Sequence, residues 1–282
     1  MRRVGCVGSD RSRGPWGHRC CLYDDAADFH RLVAAFFTEG LRDGLRVAYA
    51  GVGGPESSRA DLAGLRGLDR LLSEGAVHIV SLEEVYRPDH PLDPERLVAR
   101  YAAATERALA DGFRGLRLSA DGTELVRSTQ QQDAWARYEF LVGRYMASHP
   151  LSALCGFSVE LGEDCTTEIA SLHAAGWPEV PGFQVFGCAD GAVGLAGEFD
   201  QVTVPAFGRV LSRLRTGVDG RVLVVDMADV EYLDHRLLLT LDDYARANGV
   251  QVSVRSIPPF ATRLMELLPV SNLRLAVVGT ES

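Results

Sequence analysis

Apolar residues in the first half of the chain follow a helical spacing in some segments and form short continuous runs in others. Between residues 26 and 41 they recur three and four apart, which predicts an amphipathic helix with one buried face. Short apolar runs bounded by glycine, proline or polar residues predict strands at residues 45–50, 76–82, 116–119 and 151–159. Helical patterns between these runs cover residues 58–66, 93–111, 130–147 and 164–174, and Asp93 is the expected cap of the second. Alternating strands and helices predict an α/β domain with a mainly parallel, RecA-like sheet.

The pattern breaks at residues 176–182, where two prolines and two glycines interrupt the periodicity and indicate a linker. Beyond it, strands are predicted at residues 183–188, 191–199, 222–226, 250–254 and 274–277, with helices at 203–215, 235–247 and 258–268. This order is typical of a second, smaller α/β domain. The predicted organisation is therefore a disordered leader (1–17), a first domain (18–175), a linker (176–182) and a second domain (183–282).

Composition excludes several classes of function. The net charge of −9 is unfavourable for nucleic-acid binding, which needs a basic surface against phosphates. No apolar run approaches the ~18 residues of a membrane span, and the first residues lack the apolar core of a secretion signal. We therefore expect a cytoplasmic protein. All 29 basic residues are arginine, so chemistry that requires lysine, including phosphate binding by a P-loop, is excluded in its usual form.

The six cysteines do not form a C-x-x-C pair, so we expect reduced thiols and no structural zinc site. We also find no Ser–His–Asp, paired-carboxylate or H-E-x-x-H arrangement, and we predict no catalytic residues, metal or cofactor. The glycine-rich residues 51–54 follow a strand, but they lack the lysine of a P-loop. The adjacent pairs Asp24–Asp25 and Asp242–Asp243 are expected to be solvated.

A signature in the second domain carries a family resemblance. An apolar strand ends in Asp226, and Val230, Tyr232, Leu233 and Asp234 precede a predicted helix. With Gly197 to Asp200 at an earlier strand end, residues 183–279 resemble the STAS domain of anti-sigma-factor antagonists. That resemblance implies a partner surface at the helix start, formed by Asp234, His235 and Arg236. The partner it implies is an anti-sigma factor of the histidine-kinase-like ATPase type.

The second domain departs from the STAS pattern at the residue that is phosphorylated in the family. A hydroxyl residue before a glycine is expected there, but Arg236 and Leu237 occupy these positions. Arginine cannot accept a phosphoryl group in the same way, and its positive charge does not mimic phosphate. We therefore expect partner binding without the serine switch. Asp234 is predicted to cap the helix, and His235 is either a titrating group or a solvated surface residue.

The first domain carries a second resemblance. His18, Cys20 and Tyr23 form an H-x-C-x-x-Y pattern before the first helix. Later segments, including Tyr138–Glu139 in a helix and a strand containing Leu154–Cys155, complete a pattern over residues 14–175. It is similar to the MEDS (methanogen/methylotroph DcmR sensory) domain, which implies the sensing of a small organic molecule.

The resemblance assigns ligand sensing to His18, Cys20, Tyr23 and Cys155. A thiol beside an imidazole can bind a metal, react with an electrophile or respond to oxidation. The alternative is that the cysteines are small buried hydrophobes and that His18 hydrogen-bonds the backbone.

Three hypotheses remain from the sequence. The first is a cytoplasmic regulator in which a small-molecule or redox sensor controls a STAS domain that binds an anti-sigma factor. The second is a non-sensing adaptor or dimerisation module, and a homodimer is compatible with either. The third is a cysteine-dependent enzyme, which requires a thiol at Cys20 or Cys155 with a lowered pKa.

Overall fold

The computed structural model describes residues 17–51, 53–81, 92–173, 182–214 and 222–276. Its first sheet has five parallel strands in the order β1-β5-β4-β2-β3. These are β1 His18–Tyr23, β2 Arg46–Gly51, β3 Val77–Ser81, β4 Leu116–Asp121 and β5 Leu151–Ser158. Every residue of β2 and β5 is buried, as expected for parallel strands covered on both faces. The predicted α/β class is confirmed.

Helices cover both faces of this sheet. They are α1 Ala26–Arg42, α2 Gly54–Asp61, α3 Leu68–Ser73, α4 Pro94–Ala110, α5 Thr129–Met146 and α6 Glu163–Ser171. One apolar core joins α1 and α3 to the sheet, and another joins α4, α5 and α6 to the opposite face. Asp93 caps α4 as predicted, and Ser128 forms a capping box with Gln131 at the start of α5.

The second sheet has the order β10-β9-β8-β7-β6, with all pairs parallel except the β6–β7 hairpin. Its strands are β6 Phe183–Gly187, β7 Val193–Phe199, β8 Val222–Leu233, β9 Gln251–Arg255 and β10 Leu273–Leu275. Its helices are α7 Val204–Leu214, α8 His235–Asn248 and α9 Pro259–Leu267. A second, separate α/β domain is therefore present, as the sequence predicts.

The two domains pack through helix α5. Ala136 and Phe140 on this helix, together with Leu172, belong to the apolar core of the second domain and not to either core of the first. The backbone of β6 lies so close to α5 that a Cβ atom on Gly187 would be 2.2 Å from the carbonyl oxygen of Phe140. Only glycine fits this contact, so the sequence itself is adapted to the docking of the domains.

Ion pairs surround this apolar contact. The buried carboxylate of Glu168 on α6 accepts hydrogen bonds from Arg209 at 2.5 Å and from Arg213 at 2.6 Å, both on α7. Arg213 also donates to Asp133 on α5 at 2.8 Å. The interface therefore combines a shared apolar core with a bridged carboxylate, which sets a defined orientation between α6 and α7.

Several predicted boundaries are wrong. The strand predicted at residues 222–226 continues to Leu233, because its second half keeps pairing with β7 through two register shifts. The helix predicted at residues 58–66 starts earlier and ends at Asp61 as α2, and the sequence pattern does not predict α3. Strand β1 was not predicted as a strand. The predicted leader (1–17) and linker (176–182) lie outside the described residues, except for their last residues, 17 and 182.

Asp242 is also misassigned by the sequence, since it is buried and not solvated. Its carboxylate accepts hydrogen bonds from the backbone N–H of Asn272 at 2.7 Å and from Arg246 at 2.9 Å. Asp25, the second residue of the other pair, caps α1 by accepting from the N–H of Ala27. Within the described ranges, no helix has the length and apolarity needed to cross a membrane.

Candidate functional site

Four polar side chains meet inside the first domain, on the face of the sheet covered by α5 and α6. His18 lies at the start of β1, Cys155 in the middle of β5, Glu139 on α5 and His173 just after α6. The Nε2 atom of His18 is 3.3 Å from Glu139 Oε2 and 3.5 Å from Cys155 Sγ, and His173 Nε2 is 3.6 Å from Glu139 Oε1. We call these four residues the buried cluster.

The buried cluster is closed to solvent. Glu139 is 2% exposed and His173 is 0% exposed, and the two imidazole rings are 4.4 Å apart. Phe157 contacts the His173 ring edge-on and separates it from Trp135. Aromatic and aliphatic side chains therefore surround the buried cluster. Its polar atoms depend on protein groups or a bound species for their interactions.

Burial sets the protonation of the cluster. Desolvation raises the pKa of Glu139 well above its usual value and, with a further contribution from Glu139 and Cys20, raises that of Cys155. Desolvation, together with the neighbouring His173, holds the pKa of His18 well below its usual value, and it lowers the pKa of His173 to about 4. Burial therefore favours the uncharged form of each of the four groups.

The hydrogen bonding of the cluster is incomplete. Both carboxyl oxygens of Glu139 and the Nε2 atom of His173 lack a hydrogen-bond partner, although all three are buried. His173 Nδ1 is 2.9 Å from the carbonyl oxygen of Ile169, which requires a proton on Nδ1 and leaves the Nε2 lone pair directed at Glu139. Buried polar atoms without partners are rare and need an explanation.

The predicted sensing residues separate into two groups. His18 and Cys155 are brought into contact, and Cys20 lies beside Cys155 in the register of β1 and β5 and is buried in the same core. Tyr23 faces the other side of the sheet, where its hydroxyl donates to Asp121 at 2.5 Å and lies 3.1 Å from Thr123 Oγ1. The ligand role assigned to these four residues stays a prediction, but Tyr23 does not contact the buried cluster.

Sequence reasoning missed two members of the cluster, Glu139 and His173. Glu139 interrupts an apolar helix face that contains Trp135, Ala136 and Val142, and a carboxylate on such a face was a usable signal. His173 follows the apolar end of α6, but nothing in its position along the chain indicates a neighbour near residue 18. Tertiary folding brings these residues together.

The start of helix α8 in the second domain carries exposed side chains, unlike the buried cluster. Asp234 caps α8 by accepting from the N–H of Arg236 at 2.7 Å, which confirms the predicted cap. The guanidinium of Arg236 turns back onto the same carboxylate at 2.5 Å, and Arg236 and His235 are both exposed. Val202, in the turn after β7, is 74% exposed, and Tyr232, two residues before Asp234, is 49% exposed. Because β7 and β8 pair up to Phe199 and Leu233, both residues lie at the carboxyl-terminal edge of the sheet.

The chain therefore has a parallel α/β domain with an enclosed polar cluster, packed onto a smaller α/β domain with exposed side chains at one edge of its sheet. Comparison with protein families specifies both. Residues 17–174 match the MEDS family, the methanogen/methylotroph DcmR sensory domain, and residues 186–276 match the Mlab, STAS domain family.

The MEDS match covers more than half of the chain, so the chain belongs to that family, and both predicted resemblances are confirmed. A comparison with curated proteins found no match. A MEDS sensory domain followed by a STAS domain identifies a signalling regulator of the anti-sigma-factor-antagonist type.

Proposed function

We propose that the protein is a cytoplasmic regulator in which the state of the MEDS domain controls the binding of an anti-sigma factor by the STAS domain. The proposed partner is an anti-sigma factor of the histidine-kinase-like ATPase type, and the proposed signal is a small organic molecule or a redox change. One observation carries this proposal. The two helical segments that contribute Glu139 and His173 to the buried cluster are also the segments that contact the STAS domain.

Helix α5 has two functional faces. Glu139 points into the buried cluster, and its neighbour Phe140 packs into the STAS core with Ala136. A helix transmits small rotations and shifts as a rigid unit. A displacement of Glu139 therefore shifts Phe140 relative to the STAS core into which it packs. This supports coupling between the signal and the STAS domain over one turn of a helix.

Helix α6 repeats this arrangement. Its Glu168 is held by Arg209 and Arg213 of the STAS domain, and Leu172, which joins the STAS core, is followed directly by His173 of the cluster. A displacement of His173 therefore acts on the ion pairs at the interface. Two independent routes from one cluster favour a sensor over a non-sensing adaptor.

The partner surface proposed for the STAS domain is the edge that carries Asp234, His235 and Arg236. Exposed apolar side chains at Val202 and Tyr232 flank it, which suits a protein interface with a charged centre. Arg236 is already paired with Asp234 and offers no hydroxyl for phosphorylation. Control from the MEDS domain thus takes the place of the serine switch in this proposal.

A non-enzymatic role is part of the proposal. The thiol of Cys155 is buried with a raised pKa, and burial together with Glu168 raises the pKa of Cys165 to about 11. A catalytic cysteine needs the opposite shift. We expect alkylation of Cys155 by iodoacetamide to be slow in the folded protein and fast in urea, and rapid alkylation of the folded protein would favour the cysteine-dependent enzyme.

The experiment that tests the proposed function is calorimetric titration of the full chain with the purified anti-sigma ATPases of its host. Val202→Asp places a charge in the proposed partner surface and is expected to weaken binding at least about tenfold. Val222→Asp is the matched control, because Val222 is also exposed and lies at the other end of the same sheet. The proposal fails if the full chain binds none of these ATPases, or if both variants bind like the wild type.

A further inference from the structure

We propose that His18, Glu139, Cys155 and His173 bind one divalent first-row transition-metal ion, with Zn²⁺ the best match. The proposal goes beyond the signalling role and does not depend on the identity of the partner. It rests on the spacing of the ligand atoms, on their unsatisfied hydrogen bonding and on the net charge of the set.

The spacing of the ligand atoms fits a tetrahedral site. One atom from each side chain can be chosen so that all four lie within 4.8 Å of one another. His18 Nε2 is 3.3 Å from Glu139 Oε2 and 3.5 Å from Cys155 Sγ, and His173 Nε2 is 3.6 Å from the other carboxyl oxygen, Oε1. Metal–ligand bonds of about 2.0–2.3 Å at tetrahedral angles place neighbouring ligand atoms roughly 3.3–3.7 Å apart. These pairs already have that spacing, and the pairs that lie up to 4.8 Å apart must approach each other to bind an ion.

The unpartnered atoms are suited to bind a cation. Both oxygens of Glu139 and the Nε2 of His173 are buried without a hydrogen bond, and a metal ion would satisfy the carboxylate and the imidazole together. The proton on His173 Nδ1 is held by the carbonyl oxygen of Ile169. An imidazole fixed in this way by a backbone carbonyl presents its other nitrogen as a ligand, which is the usual arrangement at metal centres.

The chemistry of the donor set favours zinc among the abundant ions. Two imidazoles and a thiolate are ligands for a borderline or soft ion and are poor ligands for Mg²⁺ or Ca²⁺. In the metal-bound site Glu139 is a carboxylate and Cys155 is a thiolate, so their two negative charges balance the divalent charge. The resulting site is neutral overall, which is the condition under which a charged group can be buried.

The position of the ligands explains why the sequence shows no zinc motif. The missing C-x-x-C pair bears only on sites whose ligands are close along the chain, whereas His18 and Cys155 are 137 residues apart. Four protein ligands leave no open position for a substrate water, so the site is of the closed type. An ion there would tie the sheet to α5 and to the end of α6, the segments that contact the STAS domain.

The test uses the full chain after treatment with a chelator, with Co²⁺ as a spectroscopic probe and Zn²⁺ as a competitor. We expect one Co²⁺ per chain, intense visible bands typical of tetrahedral geometry, a near-ultraviolet thiolate charge-transfer band, and displacement of Co²⁺ by Zn²⁺. Cys155→Ser should remove the charge-transfer band. Cys20→Ser is the matched control, since Cys20 is buried beside Cys155 but is not one of the four ligands, and it should keep the band.

A second variant separates loss of a ligand from loss of the fold. Glu139→Gln has the shape of the uncharged carboxylic acid, so the protein should keep its circular dichroism spectrum while its affinity for Zn²⁺ falls at least about tenfold. The proposal is overturned if no ion binds to the folded wild type. It is also overturned if the bound Co²⁺ lacks a thiolate band, or if Glu139→Gln binds Zn²⁺ as tightly as the wild type.

The result is independent of the partner experiment. Metal binding without recognition of an anti-sigma ATPase would leave the metal site in place and refute the proposed function. Recognition of an anti-sigma ATPase without metal binding would support the proposed function and refute the metal site. Each proposal can therefore fail alone.

Discussion

Two buried glutamates lie on adjoining helices of the MEDS domain, and their surroundings differ in kind. Glu168 on α6 receives hydrogen bonds from two arginines of the STAS domain. Glu139 on α5 has two imidazoles within 3.6 Å, yet neither of its oxygens has a hydrogen-bond partner. The folded chain satisfies the hydrogen bonding of the Glu168 carboxylate, whereas the Glu139 carboxylate needs a proton, an ion or a ligand.

The comparison separates a structural role from a functional one. A carboxylate satisfied by the fold holds two domains together and gains nothing from a further partner. A carboxylate left unsatisfied lowers the stability of the protein, and such groups are retained where they bind something. The same reasoning applies at α8, where Arg236 and Asp234 satisfy each other at the surface.

The largest expected effect comes from Glu168→Leu. This change leaves Arg209 and Arg213 without their shared partner and should lower the free energy of unfolding by about 2–3 kcal/mol. The figure is below that for a fully buried pair because Arg209 is 43% exposed. Urea denaturation measures it, and an unchanged midpoint would mean that Glu168 does not organise the interface. Glu160→Leu, an exposed glutamate preceding α6, is the control.

Glu139→Leu, unlike Glu168→Leu, is expected to raise the free energy of unfolding when the protein is treated with a chelator. Replacing a buried carboxyl group that has no hydrogen bonds with an apolar side chain of similar size should raise the stability by about 1–2 kcal/mol. The same urea experiment gives the value. A loss of stability in the chelated protein would show that Glu139 is already satisfied, and the contrast with Glu168 would disappear.

A smaller effect is expected at the surface pair of the STAS domain. Asp234→Ala removes the cap of α8 and should cost about 1 kcal/mol. Arg236→Ala removes only an exposed ion pair and should change stability by less than about 0.5 kcal/mol. Thermal unfolding of the two variants tests the difference. Equal losses would mean that the salt bridge, and not the cap, stabilises the start of the helix.

Most of the secondary structure could be predicted because it is local. The stripe of α1, the cap of α4 and the alternation of strands and helices depend on neighbours within a few residues, and the structure confirms them. Errors arose where long-range contacts override the local pattern. Strand β8 continues through polar residues because β7 pairs with it, and Asp242 is buried because Asn272 and Arg246 satisfy it.

The candidate site could be predicted only in part. His18 and Cys155 were assigned together through the family pattern, and the fold brings them into contact. Glu139 and His173 were not assigned, because a side chain on α5 and one after α6 meet only when both helices pack on the same face of the sheet. The family pattern groups Tyr23 with His18, but the alternation of side chains along a strand directs Tyr23 to the opposite face of the sheet.

The two α/β domains, their families and the replacement of the phosphorylated residue by Arg236 follow from periodicity, short motifs and single residue identities, which can be recognised without knowledge of the fold. Tertiary packing, in contrast, leaves Glu139 buried without a hydrogen-bond partner and bridges Glu168 to the STAS domain. It also decided that both glutamates lie on the interface helices, because burial and pairing depend on which distant segments fold against each other.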